Sequence, residues 1–181
     1  MMRLIKQLLR AQLCLSLAFC SSSQAAQPME EQTVLAALAL NIARFTTWPA
    51  ETHARMKDGL NFCVVGDNVT QESFAGIDRK AVGEYTLKLI NLARLNNLEQ
   101  CHVLYISQLK QNILLQLFVE IKKQALLTIG EGSDFALQGG MVGMENLNNK
   151  IHLHINLPAV REANLNISAR LLQLATIIET Q

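Results

Sequence analysis

The sequence predicts one α/β domain: a mainly parallel sheet covered by helices on both faces, with a C-terminal antiparallel hairpin at its edge. Three observations lead to this prediction. Short apolar runs typical of buried strands alternate with segments of helical periodicity. Two strand-like runs flank the polar turn Asn148-Asn149, a pattern that indicates a β-hairpin. Residues 26–181, which remain after the signal peptide predicted below, are enough for one domain with a hydrophobic core and too few for two typical domains.

The first 25 residues have the features of a secretory signal peptide. A positive n-region, an apolar run and a small-x-small site follow one another in the order that export requires. These parts are Arg3, Lys6 and Arg10, then Ala11–Phe19, then Ser23-Gln24-Ala25. The apolar run is shorter than the ~20 residues of a membrane-spanning helix, so we expect cleavage after Ala25. A lipoprotein signal at Cys20 is the alternative, and the bulky Phe19 before it argues against lipidation.

Removal of this segment changes the charge of the chain. The precursor has 16 basic and 15 acidic residues, and the first 25 residues contain three of the basic and none of the acidic ones. The mature chain, residues 26–181, therefore carries a formal net charge of −2. Such a charge gives no electrostatic reason to bind nucleic acid or an anionic membrane face.

The mature chain retains two of the four cysteines, Cys63 and Cys101. An even pair in an oxidising compartment favours a disulfide. Two buried thiols that never meet remain an alternative, since buried free cysteine is common. A closed zinc site is disfavoured, because no further Cys or His accompanies the pair at ligand spacing.

Three segments have the apolar periodicity of amphipathic helices. The first is Glu30–Phe45, which Pro49 prevents from continuing. Its apolar stripe consists of Val34, Leu35, Leu38, Ile42 and Phe45. The second is Gln108–Gln124, with Ile113, Leu114, Leu117 and Ile121 predicted to face inward. The third is Leu165–Ile178, whose apolar residues are Ile167, Leu171, Leu172, Leu174 and Ile178.

Strands are predicted where short apolar or alternating runs end at turn residues. The predicted sheet strands are Leu60–Val65, Tyr85–Leu92, His102–Ile106 and Ala125–Ile129. The hairpin strands are Met141–Glu145 and Lys150–Ile155. Because these runs alternate with helices, most strands are expected to lie parallel.

An ordered set of motifs across residues 30–178 resembles a known family. The motifs are Phe45-Thr46-Thr47-Trp48-Pro49, Phe62–Gly66, Cys101–Ser107, Leu126–Gly130, Phe135 with Gly139-Gly140, Ile155-Asn156 and Ser168–Leu172. No single motif is specific, but together and in this order they are similar to the YfiR family. The resemblance implies a periplasmic homodimer that represses an inner-membrane diguanylate cyclase through its periplasmic sensor domain. It also implies release of that repression by an outer-membrane lipoprotein, with cyclic-di-GMP and biofilm formation as the output.

The resemblance fails at one point. The well-studied regulators of the family carry a second cysteine pair in the segment that matches Gly139–Glu145, and this segment has no cysteine here. Only the pair Cys63 and Cys101 therefore carries over from the family. A role of a second bridge in redox sensing or partner release does not.

Two sets of residues are candidate binding sites. Phe45, Trp48 and Pro49 form a candidate partner contact, because tryptophan beside a helix end is a frequent interface residue. Packing of Trp48 under the sheet is the structural alternative. A candidate ligand crevice lies where parallel strands end, since glycines there let a ligand approach the backbone. It comprises Gly66, Asp67, Ser107, Gly130, Glu131 and Ser133, and ordinary turn chemistry is its alternative.

The remaining polar residues give no catalytic set. His152 and His154 share one face of a strand and could chelate a metal, but no third ligand accompanies them, and a solvent-facing hairpin edge is the favoured explanation. The serines lack a G-x-S-x-G context, and the glycines lack dinucleotide-binding spacing. We therefore expect neither enzyme activity nor a cofactor. Two function classes remain: a regulator that acts by protein contact and a periplasmic small-molecule-binding module.

Overall fold

The structure, a computed structural model, describes residues 27–66 and 71–179. The predicted signal peptide lies outside the described residues. The helices are α1 (Gln27–Arg44), α2 (Ala50–His53), α3 (Gln71–Ala75), α4 (Gln111–Glu120), α5 (Ser133–Leu137), α6 (Leu157–Glu162) and α7 (Ala169–Leu172). The strands are β1 (Thr46–Thr47), β2 (Leu60–Gly66), β3 (Ala81–Val82), β4 (Tyr85–Asn91), β5 (Val103–Ser107), β6 (Leu127–Glu131), β7 (Val142–Leu147), β8 (Lys150–Asn156), β9 (Asn166–Ile167) and β10 (Ala175–Ile178).

Eight strands form the central sheet in the order β10-β8-β7-β6-β5-β2-β4-β3. The five strands from β4 to β7 in this order are parallel neighbours, whereas β7 and β8 form an antiparallel hairpin. Every residue of β5 is buried, as expected for a strand covered on both faces. The predicted fold class is therefore confirmed.

The two faces of the sheet pack against different helices. Alternate residues of β2 point to opposite faces, so Phe62 belongs to the core under α1 and Cys63 to the core under α4. Buried Ala36 and Ala39 bring α1 close to the sheet. Within the described residues no helix is long and apolar enough to cross a membrane.

The first two predicted helices form, but their bounds and their inward-facing residues differ from the prediction. The second, α4, is shorter than Gln108–Gln124 because Gln108 and Lys123 adopt positive φ angles of 45° and 67°. Its inward residues are Leu114, Leu117 and Ile121, whereas Ile113 is exposed. In α1, Leu35 and Ile42 are buried as predicted, whereas Val34 and Phe45 are exposed.

The predicted C-terminal helix Leu165–Ile178 is wrong. This segment forms β9, the single turn α7 and then β10. Strand β9 pairs with β1 through Ile167 and Thr46, and β10 pairs in parallel with β8 at the end of the sheet. The last four residues of this segment, Ala175–Ile178, are rich in β-branched side chains, which suit a strand. The spacing of the apolar residues also fits a helix, and for this reason a helix was predicted.

The hairpin prediction is confirmed. Asn148 and Asn149 join β7 to β8, and both have positive φ angles, 53° and 61°. Two such residues in a row are the requirement of a type I′ turn, which matches the twist of the flanking strands. On the outer side of the hairpin, β10 pairs with β8 and forms the end of the sheet.

Candidate functional site

A disulfide joins Cys63 in β2 to Cys101, which lies two residues before the start of β5. Cys63 and Cys101 have Cα atoms 5.8 Å apart, and both are buried. The strands are parallel neighbours with Phe62 opposite Val103, so the fold itself brings the two cysteines together. The alternative of two separate thiols is therefore wrong.

Trp48 is part of the core. Its side chain is only 6% exposed, and its indole N–H donates a hydrogen bond of 3.2 Å to the backbone carbonyl of His102. This is the structural alternative that the sequence left open for this residue. Of the other two candidate contact residues, Phe45 is 38% exposed and Pro49 is half-buried. A partner contact at this end of α1 stays a prediction, with Phe45 as its most accessible side chain.

His102 is a buried, neutral histidine next to the disulfide. Its Nδ1 accepts a hydrogen bond of 2.9 Å from the backbone N–H of Asn61, which leaves the ring proton on Nε2. Within the described residues that Nε2 atom is buried and has no hydrogen-bond partner. Burial, and secondarily the positive charge of Arg55, lowers the pKa of His102 to about 4. Only its place in a predicted buried strand pointed to this residue.

The candidate crevice residues are brought to one edge of the sheet, because β2, β5 and β6 end side by side. Gly66 lies opposite Ser107, and Ile106 lies opposite Gly130. Asp67 is outside the described residues. A Cβ at Gly66 would overlap the carbonyl of Ser107, and one at Gly130 would overlap the ring of Phe135. These glycines therefore accommodate neighbouring protein atoms.

Glu131 and Ser133 at the same edge form hydrogen bonds within the protein, whereas the buried hydroxyl of Ser107 has no hydrogen-bond partner among the described residues. Glu131 accepts hydrogen bonds of 3.0 Å from the Tyr105 hydroxyl and 3.1 Å from the Gln32 amide. Burial, and then the negative charge of Glu131, raises the pKa of Tyr105. Ser133 donates to Glu145 at 3.2 Å and so points toward β7. A cavity of about 320 Å³ opens at this edge between α4 and α5 and is lined in part by Glu131, and a ligand site here stays a prediction.

The two hairpin histidines do not form a metal centre with a third ligand. His154 contacts Glu145 through Nε2 and Oε2, 2.9 Å apart, whereas His152 is exposed. Across the residues that the structure describes, no group of three or more His, Cys, Asp or Glu side chains is placed to hold a metal ion. The geometry gives Glu145 two hydrogen-bond partners, His154 and Ser133.

A further region, which was not predicted from the sequence, is an apolar groove of about 480 Å³ between α4, α5 and α6. We call it the α4–α6 groove, and its apolar lining consists of Leu115, Phe118, Val119, Leu137, Pro158 and Ala159. Val119 is 76% exposed and Leu137 is 54% exposed. One signal could have revealed the groove: α4 has no charged residue from Gln111 to Val119, although a surface helix normally has a polar outer face.

The comparison with protein families gives a match over most of the chain. The family model of YfiR/HmsC-like proteins matches residues 32–176. The chain belongs to the YfiR/HmsC-like family. No curated protein sequence matches it. The resemblance that the ordered motifs indicated is thereby confirmed.

This YfiR/HmsC-like chain packs the segment Gly139–Glu145 without a second bridge. Met141, Val142 and Met144 are buried in the core under α1. A Cβ at Gly140 would overlap the ring of Phe135. Apolar packing therefore holds the start of β7 in place.

Proposed function

We propose that this chain acts in the periplasm, after cleavage of a signal peptide near Ala25, as a repressor of an inner-membrane diguanylate cyclase. It binds the periplasmic sensor domain of the cyclase as a homodimer and lowers cyclic-di-GMP output and biofilm formation. The observation that carries the proposal is the family match across residues 32–176, which spans the sheet from α1 to β10. The Cys63–Cys101 bridge supports an oxidising compartment.

The proposed mechanism is contact without catalysis. A protein on the periplasmic side changes the activity of a cytoplasmic catalytic domain only if it binds one state of the receptor more tightly than the other. A shift from mostly active to mostly inactive requires on the order of 5 kcal/mol of differential binding free energy. Burial of an apolar surface of modest size supplies free energy of this order. An outer-membrane lipoprotein that competes for the same protein would relieve repression.

A second candidate function is a periplasmic small-molecule-binding module. The observation that favours it is the cavity of about 320 Å³ at the carboxyl end of β5 and β6, lined in part by Gln108, Gln111 and Gln138. Open α/β sheets place ligands at this edge. A gene for a transporter or receptor beside this one would favour that candidate, whereas a gene for a membrane-bound cyclase would favour repression.

Gene deletion tests the proposal. Deletion should raise cyclic-di-GMP under conditions in which the neighbouring cyclase is expressed, and complementation with the wild-type gene should lower it again. A parallel deletion in a strain whose cyclase has lost its catalytic residues should leave cyclic-di-GMP unchanged, which shows that the effect passes through that enzyme. Unchanged cyclic-di-GMP after deletion in the intact strain rejects the repressor role.

A further inference from the structure

Helix α4 exposes apolar side chains beside polar ones on the side that faces away from the sheet. Leu114 and Leu117 pack inward, whereas Leu115 and Val119, four residues apart, share the side that faces away from the sheet. The exposed fractions of the latter two are 44% and 76%. The exposed Gln116 lies beside them, so Leu115 and Val119 form an apolar strip along the flank of α4 that lines the groove.

The walls opposite α4 continue this apolar surface. Leu137 of α5 and the residues Pro158 and Ala159 of α6 complete the α4–α6 groove. Polar groups border it, as they border the protein-binding patches of other proteins. Asn156 at this border is buried, and its side chain is hydrogen-bonded within the protein. Its amide N–H donates to the carbonyl of Ala136, and its amide oxygen accepts from the backbone N–H of Ala159.

The charges at the groove indicate the chemistry of its occupant. The charged side chains in its lining are Lys122 and Glu162, and these form an ion pair of 3.4 Å with each other. The groove therefore presents no unpaired charge to a ligand. It suits an uncharged apolar segment better than a charged one, because a charged ligand would have to displace one partner of this ion pair.

The shape of the groove argues against a second copy of this chain as occupant. In a dimer with two-fold symmetry the same patch faces itself. Two concave grooves placed face to face would leave their volume of about 480 Å³ each unfilled. Insertion of a different surface of a second copy would be a head-to-tail contact, which produces rings or open filaments.

We propose that the α4–α6 groove is the surface that receives the membrane cyclase, by binding an uncharged apolar ridge of its periplasmic domain. This inference rests on the proposed function and adds the location of the contact and the chemistry of the partner's side. It places the contact on the face of the sheet opposite α1, away from Phe45.

Charge substitutions in the groove test the inference in cells that contain the full-length cyclase. Val119→Asp and Leu137→Asp alter two different walls through exposed side chains, so the fold is preserved. Leu174→Asp is the matched control, because Leu174 is 78% exposed and lies outside the groove. Phe45→Asp tests the alternative contact at the end of α1. Each variant is expressed in the deletion strain, its periplasmic level is checked by immunoblot, and cyclic-di-GMP is measured.

The groove variants should fail to restore repression, whereas Leu174→Asp should restore it fully. Affinity should fall about tenfold or more, because binding would bury an unpaired carboxylate. A photocrosslinking residue in place of Val119 should capture the tagged cyclase, and one in place of Leu174 should not. Full repression by both groove variants overturns the inference while the deletion phenotype still supports the proposed function. Crosslinking of position 119 to a second copy overturns the choice of occupant, and loss of repression by Phe45→Asp alone places the contact at α1. If deletion itself has no effect, the proposed function fails and the inference fails with it.

Discussion

Two regions of the molecule contain apolar side chains beside helix ends, and the fold buries those of the first and leaves those of the second exposed. The first, which we call the sealed edge, consists of Trp48, His102, Cys63 and Cys101, all buried. The second is the α4–α6 groove, in which Val119 is 76% exposed. From residue type alone, Trp48 was the stronger candidate for a partner contact. The difference shows that neighbouring elements, and not the side chain itself, decide which apolar group is available for binding.

The largest expected effect at the sealed edge is that of Trp48→Ala. This change should lower the free energy of unfolding by about 4–5 kcal/mol, the upper part of the range for such truncations, because it opens a large cavity and removes a buried hydrogen bond. Urea denaturation of the mature chain measures the effect. Val119→Asp is the comparison and should change stability by less than about 0.5 kcal/mol, since it alters an exposed side chain. Equal losses in the two variants would contradict the division into a sealed and an open region.

The disulfide of the sealed edge should contribute slightly less. It closes a loop with a sequence separation of 38 residues. In the chain-entropy model a loop of this length corresponds to about 4 kcal/mol. The double variant Cys63→Ser/Cys101→Ser should show this loss in urea denaturation, and reductant should destabilise the wild type but not the variant. Two free thiols found by alkylation of the unreduced exported protein would refute the bond.

The parallel half of the sheet could be predicted from sequence because each strand there is a short buried run that ends in a turn. Leu60–Gly66 and Val103–Ser107 are of this kind, and both were predicted within one residue. The segment Leu165–Ile178 was not predictable in this way. Its apolar spacing fits a helix, but Ile167 pairs with β1 at the start of the domain and Ile177 pairs with β8. Tertiary pairing thus decided what local periodicity left ambiguous.

The candidate sites show the same limit. The bond between Cys63 and Cys101 followed from a count of cysteines and the predicted compartment, which need no three-dimensional information. The burial of Trp48 depends on the carbonyl of His102, which is 54 residues away in the sequence. The α4–α6 groove depends on how α5 and α6 stand beside α4. In the sequence, the sign of this groove is the absence of charged residues from Gln111 to Val119 in α4.

The smallest of the three expected effects on stability is the pH dependence that the buried His102 causes. The folded chain lowers the pKa of His102 from 6.5 to about 4. Between these values the unfolded chain binds a proton that the folded chain does not, so the free energy of unfolding falls as the pH falls through this window. The expected loss is roughly 2–3 kcal/mol, complete below about pH 4.

The variant His102→Asn isolates this contribution. Its amide oxygen can take the place of Nδ1 as acceptor for the Asn61 backbone N–H, and it does not titrate. The other ionisable groups are common to both proteins, so the difference between their two pH–stability curves reports His102 alone. Urea denaturation at several pH values from 7.5 to about 4 should show the wild type losing roughly 2–3 kcal/mol more than the variant. Parallel curves would mean that His102 takes up its proton in the folded state. Water would then reach the sealed edge, and the contrast with the α4–α6 groove would be one of degree.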